Sequence, residues 1–367
     1  MIDLSDGEEV KGMDVNLHKS NLATHGYNGY DMYRVPGIVT VSNGDIIVYY
    51  EGRAVNPNIR TLLCRRSRDG GTTFSEQHVL KESLNEHMVH NPMMVAGNNG
   101  ELWFFWNEDY RRCYYQKSTD DGDSWGDVVN LTPFVEKMRT IYPYTVFALS
   151  PGHGICTAGG VIVLPMWMST GVNAHQPSCF ITLFSGDNGA TWHHSNPLEG
   201  DETVENPSEA SIAACKDGTL LATMRHGTTA SRYRAFARGT YEHWQPAFLD
   251  STLLDPICAG SVISSAAGDL IFSNCNYGDE EALKRIRAGE NIKWSQNARQ
   301  NLTIRISEDD GANWSKGIAV EEEAGYSDLA FSLDGKEIYC FYERGWIDGN
   351  CIYNEHLAFA RVPIASV

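Results

Sequence analysis

An eight-residue pattern, Ser-x-Asp-x-Gly-x-(Thr/Ser/Asn)-(Trp/Phe), recurs at Ser67–Phe74, Ser118–Trp125, Ser185–Trp192 and Ser307–Trp314, with a worn copy ending at Trp244. Each copy reads as a tight turn between two strands. Its Asp accepts hydrogen bonds from the turn amides, its Gly takes a positive φ, and its aromatic residue packs beneath. Copies spaced roughly 50 to 70 residues apart, in a chain of alternating apolar runs, point to a β-propeller with one such turn in several blades. The expected architecture is all-β: a six-bladed β-propeller forming a single unit over residues 1–367.

The intervening sequence agrees with a strand-rich fold. Runs of Val, Ile, Tyr, Phe and Thr at 37–50, 61–66, 102–106, 161–168, 179–184, 211–224, 260–273, 302–307 and 338–342 are bounded by Gly, Asn and Asp. Such runs read as strands, and Asn43-Gly44, Asn99-Gly100, Asp217-Gly218 and Asp334-Gly335 read as hairpin turns. One helix-like stretch, Asp279 to Glu290, is expected as an insertion between strands.

A formal charge of −18 disfavours nucleic acid or an anionic membrane as partner, because both would be repelled at long range. An anionic ligand would need a local cluster of arginines. No apolar run approaches the roughly 18 residues that span a bilayer. The acidic start, Met1 to Val10, lacks the basic and apolar parts of a secretory signal, so a cytoplasmic protein is expected. Nine scattered cysteines without a C-x-x-C pair fit neither a disulfide framework nor a zinc ribbon. No metal or cofactor is expected.

Around the repeats lie segments that together resemble the sialidase (neuraminidase) superfamily. They are Tyr33-Arg34-Val35-Pro36, Glu51-Gly52-Arg53, His90-Asn91-Pro92, Asn206-Pro207-Ser208-Glu209 and Met224-Arg225, followed by Leu254 to Ser261, Arg299 to Thr303, Gly325-Tyr326 and Tyr342-Glu343. The resemblance spans nearly the whole chain and implies a sialidase-like propeller. It implies an exo-acting, retaining glycoside hydrolase that removes a terminal α-linked sialic acid or a related 2-keto-3-deoxy sugar acid.

The same resemblance assigns residues. Arg34, Arg225 and Arg299 would bind the carboxylate of the sugar acid, which calls for planar bidentate cations. Arg53 would reach the ring substituents, and the region of Tyr142, Tyr144, Trp167 and His175 would line the cavity. Tyr326 would be the nucleophile, since a neutral phenol avoids the repulsion that a carboxylate would meet at an anomeric centre bearing its own carboxylate. In this respect sialidases depart from two-carboxylate glycoside hydrolysis. Glu209 would take the phenolic proton, and Glu343 would orient Arg34.

One element departs from the family. The loop from Arg53 to Cys64, where the family carries its acid/base Asp, contains neither Asp nor Glu; Asn56 falls nearest that place. His87, His90 and Glu86 are alternative acids, and a leaving group that departs without protonation is another solution. The departure also keeps open a second reading, a propeller that binds a sugar acid without cleaving it. N-acetylneuraminic acid, its deaminated form and 3-deoxy-octulosonic acid all remain candidate ligands.

Overall fold

The strands alternate so regularly with turns that the molecule is built almost wholly of antiparallel sheet. A computed structural model describes residues 17–56, 58–84, 87–97, 100–171, 175–228, 232–278, 284, 288 and 299–367. Three sheets have four strands each, starting at Met32–Thr40, Val89–Ala96 and Ala210–Ala214. A fourth, six-stranded sheet is built around Ile162–Ser169 and Ser178–Ser185. The remaining seven strands form one continuous sheet from His18–Thr24 to Ser261–Ser264.

This corrects the expectation of six separate blades. Four blade-like sheets and one curled seven-stranded sheet make up the described fold. The reason is a single 14-residue strand, Ile318–Phe331. Its first part pairs with Gln300–Ser307 and its second with Glu337–Arg344, across a register shift between Ala324 and Ser327, so the two halves belong to one sheet. The expected insertion at 279–290 lies, except for Lys284 and Ala288, outside the described residues.

The repeated turns close the outer edges of the sheets as their sequence foretold. In the first, Ser67 Oγ donates to Asp69 Oδ1 at 2.8 Å and accepts from Gly71 N at 2.8 Å, while Thr73 N donates to Asp69 Oδ1 at 2.9 Å. Gly71 has φ +83°, and a Cβ there would collide with the ring of Phe359. The aromatic residues reach neighbouring rings: Phe74 meets Phe359 at 5.0 Å, Trp192 meets Phe105 at 5.8 Å and Trp314 meets Phe236 at 5.9 Å between centroids. The turn therefore wedges one sheet against the next.

The core lies between sheets. Met93, Trp103 and Phe105 pack against Phe147, Leu164 and Ile181 of the adjacent sheet. All nine cysteines are free thiols, and seven are buried. Among the described residues no helix is long and apolar enough to cross a membrane.

Candidate active site

Several sheets bring together residues that are far apart in sequence. Tyr326 is at the centre of this group. Its hydroxyl donates to Glu209 Oε2 at 2.6 Å, and Arg225 Nη1 donates both to Tyr326 Oη and to Glu209 Oε2 at 2.8 Å. The guanidinium carbons of Arg299 and Arg34 lie 5.2 and 5.5 Å from the centroid of the Tyr326 ring. Three arginines thus converge on one phenol.

Backbone geometry fixes these positions. Arg34 precedes a shift in register on Met32–Thr40, with Val35 in the left-handed region at φ 59°. Glu343, on Glu337–Arg344, is buried and takes three donors: Arg34 Nε at 2.6 Å, Val35 N at 3.3 Å and Tyr326 N at 3.0 Å. One carboxylate therefore positions the arginine, its strand and the tyrosine backbone together. Gly325 makes room for it, since a Cβ there would overlap the Glu343 carboxylate. Arg299 donates Nη2 to Ile257 O at 3.2 Å, while its buried Nη1 has no hydrogen-bond partner among the described residues. A buried guanidinium donor left open is costly unless an anion completes it.

The charges set the resting protonation. Burial and the neighbouring Glu209 push the Tyr326 phenol well above its usual value, against the pull of Arg225 and Arg299. Burial tends to raise Glu209 as well, but Arg225, the Tyr326 hydrogen bond and Arg299 together bring it below the usual carboxylate range. In the free protein the proton therefore rests on Tyr326.

A second charged group lies beside the first. Glu51 is fully buried and receives Arg53 Nε at 2.8 Å, Arg60 Nη1 at 3.1 Å and Asn91 N at 2.8 Å. Burial opposes its ionisation, yet Arg53, Arg60 and the Asn91 amide lower it to about 2. Arg53 is thus held by Glu51.

The candidates for the missing acid fare differently. His90 is fully buried, with Nδ1 on Asn91 Oδ1 at 3.0 Å and Nε2 accepting from Tyr110 N at 2.9 Å. Burial brings it down to about 4, so it holds no proton to give near neutrality. His87 is exposed and pairs with Asp109 Oδ2 at 2.8 Å. Asn56 is exposed and closes a local turn, with its Oδ1 accepting from Asn58 N at 3.1 Å. Glu86 lies outside the described residues.

The proposed cavity lining divides. Tyr142 and Tyr144 are not brought to the site; their rings belong to the hydrophobic core. Trp167 and His175 do stand together, 5.1 Å apart, with Tyr110 at 4.9 Å from His175. Burial lowers His175, with Glu209 opposing and Arg225 assisting, which places the ring within electrostatic reach of that pair. Tyr110 feels Glu209 in the same way. Sequence reading missed Tyr110 and Arg60. The one local signal for Tyr110 is the pair of left-handed residues Asp109 and Tyr110 at a strand end, at φ 54° and 57°.

A model of the BNR repeat-like domain matches residues 81–340. The chain belongs to that family. Through it the chain joins the sialidase superfamily. It is similar to an exo-alpha-sialidase of Arthroderma benhamiae, with 26% identity over 87% of this chain and 80% of the relative. A sialidase of Bacteroides fragilis is 26% identical over 85% of this chain, which spans 60% of that longer protein. Among solved structures, the Hadza microbial sialidase Hz136 superposes with a TM-score of 0.73 at 20% identity, covering 95% of this chain and 69% of its own. The intramolecular trans-sialidase from Ruminococcus gnavus gives 0.71 at 14% identity, covering 95% and 98%. These structural likenesses establish the fold.

Proposed function

We propose that the protein is an exo-glycosidase that removes a terminal α-linked sialic acid or a related 2-keto-3-deoxy sugar acid, with retention, through Tyr326. The observation that carries this reading is the convergence of Arg34, Arg225 and Arg299 on a tyrosine hydroxyl already hydrogen-bonded to Glu209. The names of the relatives, sialidase and exo-alpha-sialidase, support the same class of substrate.

The steps follow from the charges. The sugar carboxylate binds among the three guanidiniums and completes the open Arg299 Nη1. Its negative charge offsets Arg225 and so raises the proton affinity of Glu209, the group that must accept the phenolic proton. Tyr326 Oη then bonds to the anomeric carbon as the glycosidic C–O bond breaks and its proton passes to Glu209. In the second step water attacks the anomeric carbon from the face that the leaving group left, the bond to Tyr326 Oη breaks as Glu209 returns its proton to the phenol, and the proton lost by the water neutralises the alkoxide released in the first step. Two inversions give net retention. Glu343 acts at one remove, by holding Arg34 and the Tyr326 backbone in register.

The absence of a carboxylic acid from Arg53 to Cys64 favours a second reading, sugar-acid binding without cleavage. One experiment separates the two. The protein is incubated with 3-fluoro glycosyl fluorides of N-acetylneuraminic, deaminated neuraminic and 3-deoxy-octulosonic acids, then weighed intact by mass spectrometry. Fluoride departs with little acid assistance, so an adduct absent from Tyr326→Phe supports the enzyme. No adduct from any of the three sugars favours the binding protein.

A further inference from the structure

Two arginines face each other beside the tyrosine site. Arg53 ends the strand Ile46–Arg53 and stands in register with Arg60, which begins Arg60–Ser67. Like charges directly opposite across a sheet are destabilising. Both guanidiniums turn to Glu51, whose Oε2 takes Arg53 Nε at 2.8 Å, Arg53 Nη2 at 2.7 Å and Arg60 Nη1 at 3.1 Å, while Oε1 takes Asn91 N at 2.8 Å. One carboxylate is thus shared by two cations, and the trio keeps one positive charge in excess. His90 adds none, since burial holds it neutral near pH 7.

The charges are also layered. The Glu51 side chain is fully buried, whereas those of Arg53 and Arg60 are 26% and 12% exposed. Positive charge therefore faces outward over the negative, in a chain whose formal charge is −18. Glu51 stands in register with Arg34, and residues two apart on a strand share a face, so Arg34, Glu51, Arg53 and Arg60 belong to one face of the sheet. Two residues of strand separate the level of Arg34 from that of Arg53 and Arg60 by roughly 7 Å. Tyr110 lies within electrostatic reach of both groups, feeling Arg60, Glu51 and Arg53 as well as Glu209.

We infer that Arg53 and Arg60 form a second oxyanion subsite, so that the substrate carries two acidic groups: the sugar carboxylate among Arg34, Arg225 and Arg299, and a phosphate, sulfate or further carboxylate at this pair. The inference rests on the Tyr326 reading given above and narrows its substrate class. A neutral hydroxyl would leave the excess charge uncompensated, whereas an oxyanion accepts from both guanidiniums at once and offsets their mutual repulsion. The oxyanion can belong to a substituent of the sugar or to the leaving group. A phosphate leaving group departs as an anion, which fits the lack of Asp and Glu between Arg53 and Cys64.

Isothermal titration tests the subsite with the planar glycal of N-acetylneuraminic acid, its 4-O-sulfate and its 9-O-phosphate, and with inorganic phosphate added to protein saturated with the unmodified glycal. A modified glycal that binds at least ~10-fold more tightly than the unmodified one places the second oxyanion on the sugar. Saturable phosphate binding beside the unmodified glycal places it on the leaving group. In either case Arg60→Gln should abolish the gain from the second anion. Arg60→Lys, which keeps a cation beside Glu51 but loses the planar fork, should reduce that gain and keeps the test decisive if Arg60→Gln fails to fold. No gain from either modified glycal together with no phosphate binding, or a gain that persists undiminished in these variants, would overturn the proposal. Failure of the unmodified glycal to bind, or binding indifferent to Arg299→Ala, would instead overturn the Tyr326 reading beneath it.

Discussion

The Ser307–Trp314 turn and Tyr326 are a short distance apart in the chain, yet they are built on opposite plans. In the turn, Ser307 Oγ donates to Asp309, Gly311 N to Ser307 Oγ and Asn313 N to Asp309, so the bonds that shape it close within four residues. At the site, the partner of Tyr326 is Glu209, and that of Arg34 is Glu343, each more than a hundred residues away in the chain. The Ser and Asp side chains of the turn satisfy one another and the turn amides, whereas the site leaves the charged Arg299 Nη1 open. Closed local bonding gives stability, and open long-range bonding gives a place for a ligand.

Changes at the centre should therefore move activity, and changes at the rim should move stability. The largest effect concerns the leaving group. With no acid on the Arg53–Cys64 loop, kcat/KM for a nitrophenyl sialoside should exceed that for an alkyl sialoside by about 10²- to 10⁴-fold more than leaving-group ability gives an enzyme with an intact acid. Equal efficiency on both would show that another residue delivers the proton. Next, Arg299→Ala should weaken glycal binding by about 10²-fold, since a charge-assisted contact is lost, and leave the melting temperature nearly unchanged. A large fall in melting temperature would instead class Arg299 with the rim.

Trp244 reverses that pattern. It is 1% exposed, donates Nε1 to Thr182 Oγ1 at 3.1 Å and meets Phe180 edge-on at 5.2 Å. Trp244→Ala should cost about 3–5 kcal/mol in denaturant unfolding, while the molecules that remain folded bind the glycal normally. The smallest effect is acid sensitivity. Asp69, Asp120, Asp187 and Asp309 are held at about 2 by donors that include Thr73, Ser124, Thr191 and Asn313, each four residues on. Their folded values lie below the unfolded ones, so their stabilisation is complete above about pH 4 and lost as the pH falls towards 2. Glu51 at the centre is lowered to about 2 and adds to the same window. Replacing the four turn aspartates with Asn should flatten the melting profile between pH 4 and 2 without abolishing the slope; an unaltered slope would assign acid sensitivity to the centre alone.

The same contrast explains what could be read from sequence. The turns were legible because their chemistry lies within eight residues. Arg34, Arg225, Arg299, Glu209 and Tyr326 were found through the segments around them, since no local spacing relates them. The sheet count failed at Ile318–Phe331, where Glu321, Glu322, Glu323 and Gly325 break the alternation expected of a strand. There Glu321 is met by Lys19 at 3.3 Å and Arg344 at 2.9 Å, so tertiary pairing overrides weak propensity. His90 shows a different limit. Its place beside Asn91 suggested an acid, but only the fold reveals that both nitrogens are occupied.

The strand His18–Thr24 lies antiparallel to His356–Pro363, with His18 opposite Arg361. During synthesis this early strand must wait for nearly the whole chain to leave the ribosome before its mate exists. Synthesis at roughly 5–20 residues per second makes that delay tens of seconds. A chain that stopped before Tyr326 would therefore leave His18–Thr24 with an unmatched edge and would also lack Tyr326.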